Sequence, residues 1–339
     1  MGEHQTQAPC RISQDSIAGH RLGSLFNPSL NKVSQSSSSY VSSRSTSSQS
    51  VERQQKLTSE NTIGASPERD PRSKPEKGSF DIFRTTNGGL PKLNKPLHVL
   101  NKEKKRDSER FKNAPEPQYL RSGMVLLKKF INTTDQVKVV NKCRELGIGS
   151  GGFYRPGYSN GTKLHLQMMC LGKDWDPDSK LYKDSRLFDD VVPPEIPGEF
   201  KILVDGALHT AHNFLRRSSR SVEEIPNMSP DVCIVNFYDN SGKLGLHQDI
   251  DESRESLAKE LPVVSFSVGD SAEFLYSDVR DADKAEKVIL DSGDVLIFGG
   301  KSRLIFHGVA SIKPNTAPTF LTNETAVRPG RLNLTFRQV

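Results

Sequence analysis

The part of the chain after Pro230 constrains the fold most, because it is a succession of short extended segments separated by turn residues. The predicted strands cover residues 232–238, 262–268, 272–276, 286–290, 294–298, 303–309 and 331–337. Turn-forming residues at 240–242, 292–293 and 329–330 separate several of these strands. Many short strands with such turns are typical of a double-sheet jelly-roll.

Two amphipathic helices are predicted before these strands. The first covers about residues 135–146, with Val137, Val140 and Leu146 on a common face and Gly147 as its stop. The second covers about residues 199–217, where apolar residues recur at helical spacing. The sequence therefore predicts an α+β fold with a double-stranded β-helix (jelly-roll) core and bracing helices.

The start of the chain has a different character. Residues 1–115 are predicted to form a largely disordered, Ser-rich and basic tail, and residues 116–339 to form the folded domain. Eleven serines fall between Ser34 and Ser50. Apolar residues near 80–100 predict a segment that docks onto the domain. The basic cluster at 102–106 favours the nucleus, cytoplasm is also expected, and the Ser-rich, acid-poor start leaves organelle targeting open.

Composition narrows the classes of protein. No run approaches the roughly 18 apolar residues that a membrane span needs, so we expect a soluble, intracellular protein with no membrane partner. We also expect the protein to be a monomer. The four cysteines are scattered without a CxxC pair, which argues against a disulfide framework or a zinc knuckle. A net charge of +6 weakly favours a polyanionic partner.

A candidate metal site lies at His247-Gln248-Asp249. Residues two apart in an extended segment point to the same face, so the imidazole and the carboxylate can converge on one ion. His307 is the best third ligand, because it sits in an apolar segment where an unpaired imidazole would be costly. Two imidazoles and one carboxylate suit non-heme Fe(II), although zinc can use the same trio and either histidine can instead be held by hydrogen bonds alone.

The last predicted strand alternates strictly between polar and apolar residues. Arg331, Asn333, Thr335 and Arg337 share one face, and aliphatic and aromatic residues occupy the other. Such a face belongs either to a solvated edge strand or to the wall of a buried anion site. Two guanidiniums beside an amide suit a dicarboxylate, and Asn236 and Tyr238 on the strand 232–238 can share the same cavity.

These motifs resemble those of the AlkB family of oxidative demethylases. The resemblance is close from about Asp231 to Gln338 and looser back to about Met124. The matching stretches are Asn236-Phe237-Tyr238, Leu246-His247-Gln248-Asp249-Ile250-Asp251-Glu252, Gly293-Asp294-Val295, Gly299-Gly300, Ser302-Arg303-Leu304, His307-Gly308 and Arg331-Leu332-Asn333-Leu334-Thr335-Phe336-Arg337-Gln338.

The resemblance implies roles for individual residues. It implies that His247, Asp249 and His307 bind Fe(II). It also implies that Arg331, assisted by Tyr238, binds the distal carboxylate of 2-oxoglutarate, with Arg337, Asn333 and Asn236 near the end that chelates the metal. Which arginine takes which carboxylate stays open.

The resemblance also implies a substrate. The stretch 171–182 resembles the family's nucleotide-recognition lid, in which Trp175 and Tyr182 are expected to contact a flipped base together with Asp251. The implied reaction uses Fe(II), 2-oxoglutarate and O2 to remove N-methyl groups from nucleobases in DNA or RNA, releasing succinate, CO2 and formaldehyde. Two alternatives stay open: a dioxygenase acting on a protein or lipid, and a non-catalytic, metal-bound nucleic-acid-binding module.

Overall fold

The computed structural model describes residues 80–84, 98, 115–157 and 163–339. These residues all lie in the unit that spans Ser66–Val339. The Ser-rich segment, the basic cluster at 102–106 and the predicted tail disorder lie outside the described residues. Of the predicted docking segment near 80–100, only 80–84 and His98 are described.

Two antiparallel sheets form the core of the domain. The larger, seven-stranded sheet has the order β1-β2-β11-β8-β13-β6-β3, and the four-stranded sheet has the order β10-β9-β12-β7. The strands of the larger sheet are β1 (Gln118–Arg121), β2 (Met124–Leu127), β3 (Gln167–Leu171), β6 (Val232–Tyr238), β8 (Val263–Gly269), β11 (Val295–Phe298) and β13 (Arg331–Arg337). Those of the smaller sheet are β7 (Leu244–His247), β9 (Ser271–Ser277), β10 (Glu286–Leu290) and β12 (Phe306–Lys313). A separate hairpin pairs β4 (Asp174–Asp176) with β5 (Leu181–Lys183). The jelly-roll prediction is confirmed.

Helices cover the outer face of the larger sheet. They are α1 (Thr133–Gly147), α2 (Gly198–Arg217) and α4 (Thr319–Thr325), whose buried residues join the apolar layer on that face. The short helix α3 (Arg254–Ala258) follows β7 in the chain. The two long helices match the predicted ones to within two residues at each end. The buried stripe of α2 packs on the sheet, where Phe200 meets Phe336 edge-on at 6.3 Å between ring centroids. Among the described residues, no helix is long and apolar enough to cross a membrane.

The alternation of β13 is what places polar groups inside the domain. Leu332, Leu334 and Phe336 join the apolar layer beneath the helices. The opposite face, which carries Arg331 and Arg337, is buried as well and turns toward the smaller sheet. Because both faces are covered, the polar side chains of this central strand line an interior cavity rather than a solvated edge.

Several elements differ from the sequence prediction. The strand predicted at 303–309 begins only at Phe306, because a 3-10 turn at Gly300–Ser302 precedes it, and it continues to Lys313. The strands β1 to β5 and β7 and the helices α3 and α4 were not predicted. Most of these elements span no more than five residues, which is too short for a periodic pattern to stand out.

The short segment 80–84 packs against the domain. Ile82 is fully buried, and Phe83 forms a β-bridge with Val327. Asp81 accepts from both Nε and Nη2 of Arg144, at 2.9 and 2.8 Å. A contact therefore exists between the region before the domain and the segment just ahead of β13.

Candidate metal centre and anion pocket

Two neighbouring strands and one loop bring the predicted metal ligands together. His247 ends β7 and lies directly opposite His307 on β12, while Asp249 follows in the loop after β7. The Nε2 atoms of His247 and His307 each lie 3.7 Å from a different oxygen of Asp249. One ligand atom from each of the three residues falls within 4.8 Å of the others. The pairing of β7 with β12 thus builds the trio that the sequence suggested.

The two imidazoles are oriented by backbone carbonyls. Nδ1 of His247 lies 2.9 Å from the Gly245 carbonyl oxygen, and Nδ1 of His307 lies 3.1 Å from that of Ile305. Donation from both Nδ1 atoms leaves the Nε2 lone pairs facing Asp249, as metal ligation requires. Burial lowers the pKa of His307 to about 4, so its ring is neutral near pH 7.

The carboxylate of Asp249 is ionised. Burial alone would raise its pKa, but the Arg337 guanidinium and the two neighbouring histidines together outweigh that effect and hold the pKa well below its usual range. Two imidazole nitrogens and one carboxylate, on one side of a cavity, fit Fe(II) with open positions for other ligands. Because zinc accepts the same donors, the neighbouring groups decide between the two metals.

A cavity of about 720 Å³ lies beside the trio, between the two sheets. It is lined by every residue that the sequence nominated for the site: His247, Asp249, His307, Asn236, Tyr238, Arg331, Asn333, Arg337, Trp175, Tyr182 and Asp251. A space of this size holds a small co-substrate together with part of a larger one.

Arg331 offers unused donors inside this cavity. Its side chain is 1% exposed, and Nη2 donates to Ser267 Oγ at 2.9 Å. Its Nε and Nη1 are buried and have no hydrogen-bond partner among the described residues. Burial lowers the pKa of Arg331 to about 10, and the ring of Tyr238 lies 5.8 Å from its Cζ. Since a buried guanidinium without a counter-ion is costly, the site fits a carboxylate ligand.

The two asparagines behave differently. Asn236 and Asn333 face each other across β6 and β13. Nδ2 of Asn333 donates to Ser265 Oγ at 2.8 Å and to the Phe266 carbonyl at 2.9 Å, so it is committed to β8. Oδ1 of Asn236 is buried with no partner in the described part of the chain. Asn236 therefore has an unused acceptor atom at this point of the cavity.

Arg337 lies at the metal end of the cavity in a chain of buried charges. Its Nη2 donates to Asp249 Oδ2 at 2.6 Å, and its Nε lies 3.0 Å from Glu252 Oε1. Nη2 of Arg303 lies 2.9 Å from Glu252 Oε2, and Nη1 donates to the Asp249 carbonyl at 2.7 Å. The order Arg303, Glu252, Arg337, Asp249 alternates in sign and holds the metal carboxylate in place. No role was predicted for Glu252 or Arg303, although both lie in the motif stretches.

A third group of residues lies on the far side of the cavity. Trp175 faces Tyr182 across the β4–β5 hairpin. Its indole Nε1 donates to Asp251 Oδ2 at 3.0 Å. This bond links the hairpin to the loop that carries Asp249, so the three residues predicted to contact a base are brought together.

Comparison with known proteins gives a consistent family. The family model described as the 2OG-Fe(II) oxygenase superfamily matches residues 123–337. The DNA N(6)-methyladenine demethylase ALKBH1C of Arabidopsis thaliana is 55% identical over 262 residues, which cover 76% of this chain and 56% of that protein. The AlkB homolog of Caulobacter vibrioides, an alpha-ketoglutarate-dependent dioxygenase, is 39% identical over 193 residues, covering 55% of this chain and 73% of that one.

A solved structure agrees with these relatives. The structure of OsALKBH1 is 65% identical in sequence and superposes with a TM-score of 0.64. The match covers 66% of this chain and 100% of the OsALKBH1 chain. The chain spans only 54–56% of the length of the three Arabidopsis relatives that it matches.

Proposed function

The chain belongs to the 2OG-Fe(II) oxygenase superfamily and, within it, to the AlkB-like dioxygenases. From that premise we propose that it is an oxidative demethylase that removes N-methyl groups from nucleobases in DNA or RNA. Enzymes of this family use Fe(II), with 2-oxoglutarate and O2 as co-substrates. The observation that carries the proposal concerns Arg331, whose Nε and Nη1 have no hydrogen-bond partner among the described residues. This guanidinium lies in the same cavity as the trio of His247, Asp249 and His307.

The residues of the trio would hold the iron. Iron bound there would supply an oxidant for the N-methyl group from O2, with 2-oxoglutarate converted to succinate and CO2. The hydroxylated methyl group then leaves as formaldehyde. The protein's part is to keep Asp249 ionised and fixed through Arg337, and to orient both imidazoles through their Nδ1 atoms so that Nε2 faces inward.

The co-substrate is assigned to the strand side of the cavity. Arg331 presents two unused donors and binds the distal carboxylate, with Tyr238 beside it. Arg337 is engaged by Asp249 and Glu252, so it shapes the metal end instead of receiving the distal carboxylate. Asn236 lies opposite Asn333, between Arg331 and Arg337 along β13, and lines the same cavity.

The substrate is assigned to the hairpin side. The flat indole of Trp175, fixed by its bond to Asp251, offers a stacking surface for a flipped base. Asp251 has a second carboxylate oxygen that can accept from the amino group of a methylated base. Relatives named as DNA N(6)-methyladenine demethylases and a tRNA demethylase of Schizosaccharomyces pombe support a nucleic-acid substrate.

The proposal is tested by a panel of methylated bases in DNA and RNA oligonucleotides, incubated with Fe(II), 2-oxoglutarate and the full chain. We expect loss of the methyl group from at least one base, with formaldehyde formed in step. His247→Ala should abolish the reaction, whereas His209→Ala, the same change at an exposed position on α2, should leave it intact. Turnover of 2-oxoglutarate with every methylated base left intact would refute the nucleic-acid substrate and favour a protein or lipid.

A further inference from the structure

Two aliphatic side chains are exposed beside the metal trio. Ile250 is 49% exposed and directly follows Asp249, and Leu304 is 48% exposed and lies three residues before His307. We call these two residues the apolar rim. Single exposed aliphatics are common on soluble proteins, so exposure alone indicates nothing. What distinguishes Ile250 and Leu304 from other exposed aliphatics is their position beside the metal trio.

The rim lies on two loops that are joined at the edge of the cavity. Gln248 Nε2 donates to the Leu304 carbonyl at 2.5 Å, and Arg303 Nη1 donates to the Asp249 carbonyl at 2.7 Å. Ile250 itself lines the cavity that holds the metal trio. These two hydrogen bonds tie the backbone at Leu304 and just before Ile250 to each other's loops, so the two exposed side chains are carried by loops that are fixed beside the cavity.

Cationic side chains accompany the rim. Lys180 and Arg280 also line the cavity and are exposed. Arg280 is oriented by a bond from its Nε to the Leu246 carbonyl, at 3.1 Å. A mouth that combines apolar side chains with cations matches a nucleic-acid strand, which presents base faces next to phosphates. A peptide with apolar side chains would use the rim but gain nothing from the cations.

We propose that Ile250 and Leu304 contact the faces of the bases next to the target base. This inference rests on the proposed nucleic-acid substrate. When the target base leaves the stack and enters the cavity beside Trp175, its neighbours lose a stacking partner at the cavity mouth. Aliphatic side chains placed there cover the exposed base faces and offset part of the unstacking cost. The rim thereby favours substrates whose target base has neighbours on both sides.

The experiment is a double-mutant cycle between the rim and the flanking bases. The full chain and its Ile250→Ala/Leu304→Ala variant are compared on two oligonucleotides, one with normal bases and one with abasic sites on both sides of the methylated base. The Kd is measured by fluorescence anisotropy and demethylation is measured in parallel. Ile202→Ala, at an isoleucine that is 71% exposed on α2, is the matched control.

For the wild type and Ile202→Ala we expect abasic neighbours to raise Kd by roughly tenfold, about 1.4 kcal/mol. For the rim variant we expect the Kd for the normal oligonucleotide to be about tenfold higher than that of the wild type. The rim variant should bind the abasic oligonucleotide with the same Kd as the normal one. A rim variant that keeps the full tenfold dependence on flanking bases overturns the inference. If the double variant fails to fold, as judged by its melting temperature, the single variants Ile250→Ala and Leu304→Ala decide by the same comparison.

Failure of the inference is distinct from failure of the proposed function. A wild type that demethylates both oligonucleotides with equal affinity refutes the role of the rim alone. A wild type that turns over 2-oxoglutarate but binds and demethylates neither oligonucleotide refutes the nucleic-acid substrate and the rim with it. Demethylation with a flanking-base dependence that vanishes only in the rim variants supports both.

Discussion

The buried carboxylate of Glu252 offers a sharp test of the charge chain at the metal end. Its side chain is 1% exposed and lies 2.9 Å from Arg303 and 3.0 Å from Arg337. The substitution Glu252→Gln keeps the size of the side chain but removes its charge, so two buried guanidiniums lose a shared counter-ion. Removing one partner of a buried ion pair costs about 3–5 kcal/mol. Because glutamine still accepts one hydrogen bond, we expect the low end, about 3 kcal/mol.

The assay is urea unfolding of metal-free protein, followed by far-UV circular dichroism near pH 7.5. Removing the metal separates the stability of the fold from iron affinity. Glu273→Gln is the matched control, since Glu273 pairs with Lys287 at 3.2 Å, where both side chains are partly exposed, at 28% and 58%. Such a pair contributes less than about 1 kcal/mol. If Glu252→Gln loses no more stability than Glu273→Gln, the charge chain does not stabilise the fold and our account of the metal end is wrong.

Three further changes test other parts of the site. Arg331→Met should raise the KM for 2-oxoglutarate by on the order of 100-fold, while leaving the metal-free protein as stable or more stable, because it removes a buried charge without a counter-ion; a KM that does not change would contradict its role. Burial raises the pKa of Asp174 to about 6 from 3.8. Ionisation of this carboxyl therefore destabilises the folded state increasingly between about pH 4 and pH 6, and by a constant amount above that range. Asp174→Asn should therefore raise the free energy of unfolding near pH 7.5 by up to about 3 kcal/mol but add nothing below about pH 4, and an equal gain at both pH values would refute the shift. Asp251→Asn should weaken the hold on the Trp175 indole and raise the KM for a methylated oligonucleotide more than that for 2-oxoglutarate; equal effects on the two KM values would argue against a substrate role.

The metal trio could be identified from the sequence because two local patterns coincided. The spacing of His247 and Asp249 suggested a shared ion, and the polar face of β13 suggested an anion beside it. The structure confirms that these groups line one cavity. The pairing of His247 with His307 across β7 and β12 joins residues far apart in the chain, which spacing alone could not establish.

The different states of the two arginines could not be predicted. Arg331 and Arg337 look equivalent in the alternating strand, but only Arg337 meets Asp249 and Glu252. That contact depends on where the loop after β7 runs relative to β13, which is a tertiary property. The predicted strand at 303–309 failed for a related reason, because the turn at Gly300–Ser302 leaves Leu304 exposed although its apolar neighbours suggested a buried strand.

The central claim is that the metal trio and Arg331 form one site for Fe(II) and 2-oxoglutarate. Calorimetric titration of 2-oxoglutarate into the full chain without O2, with and without Fe(II), tests it most directly. If the co-substrate bridges the metal and Arg331, Fe(II) should lower its Kd by at least about tenfold, and 2-oxoglutarate should strengthen Fe(II) binding by the same factor. Binding of 2-oxoglutarate with the same Kd in the presence and absence of Fe(II) would contradict the claim.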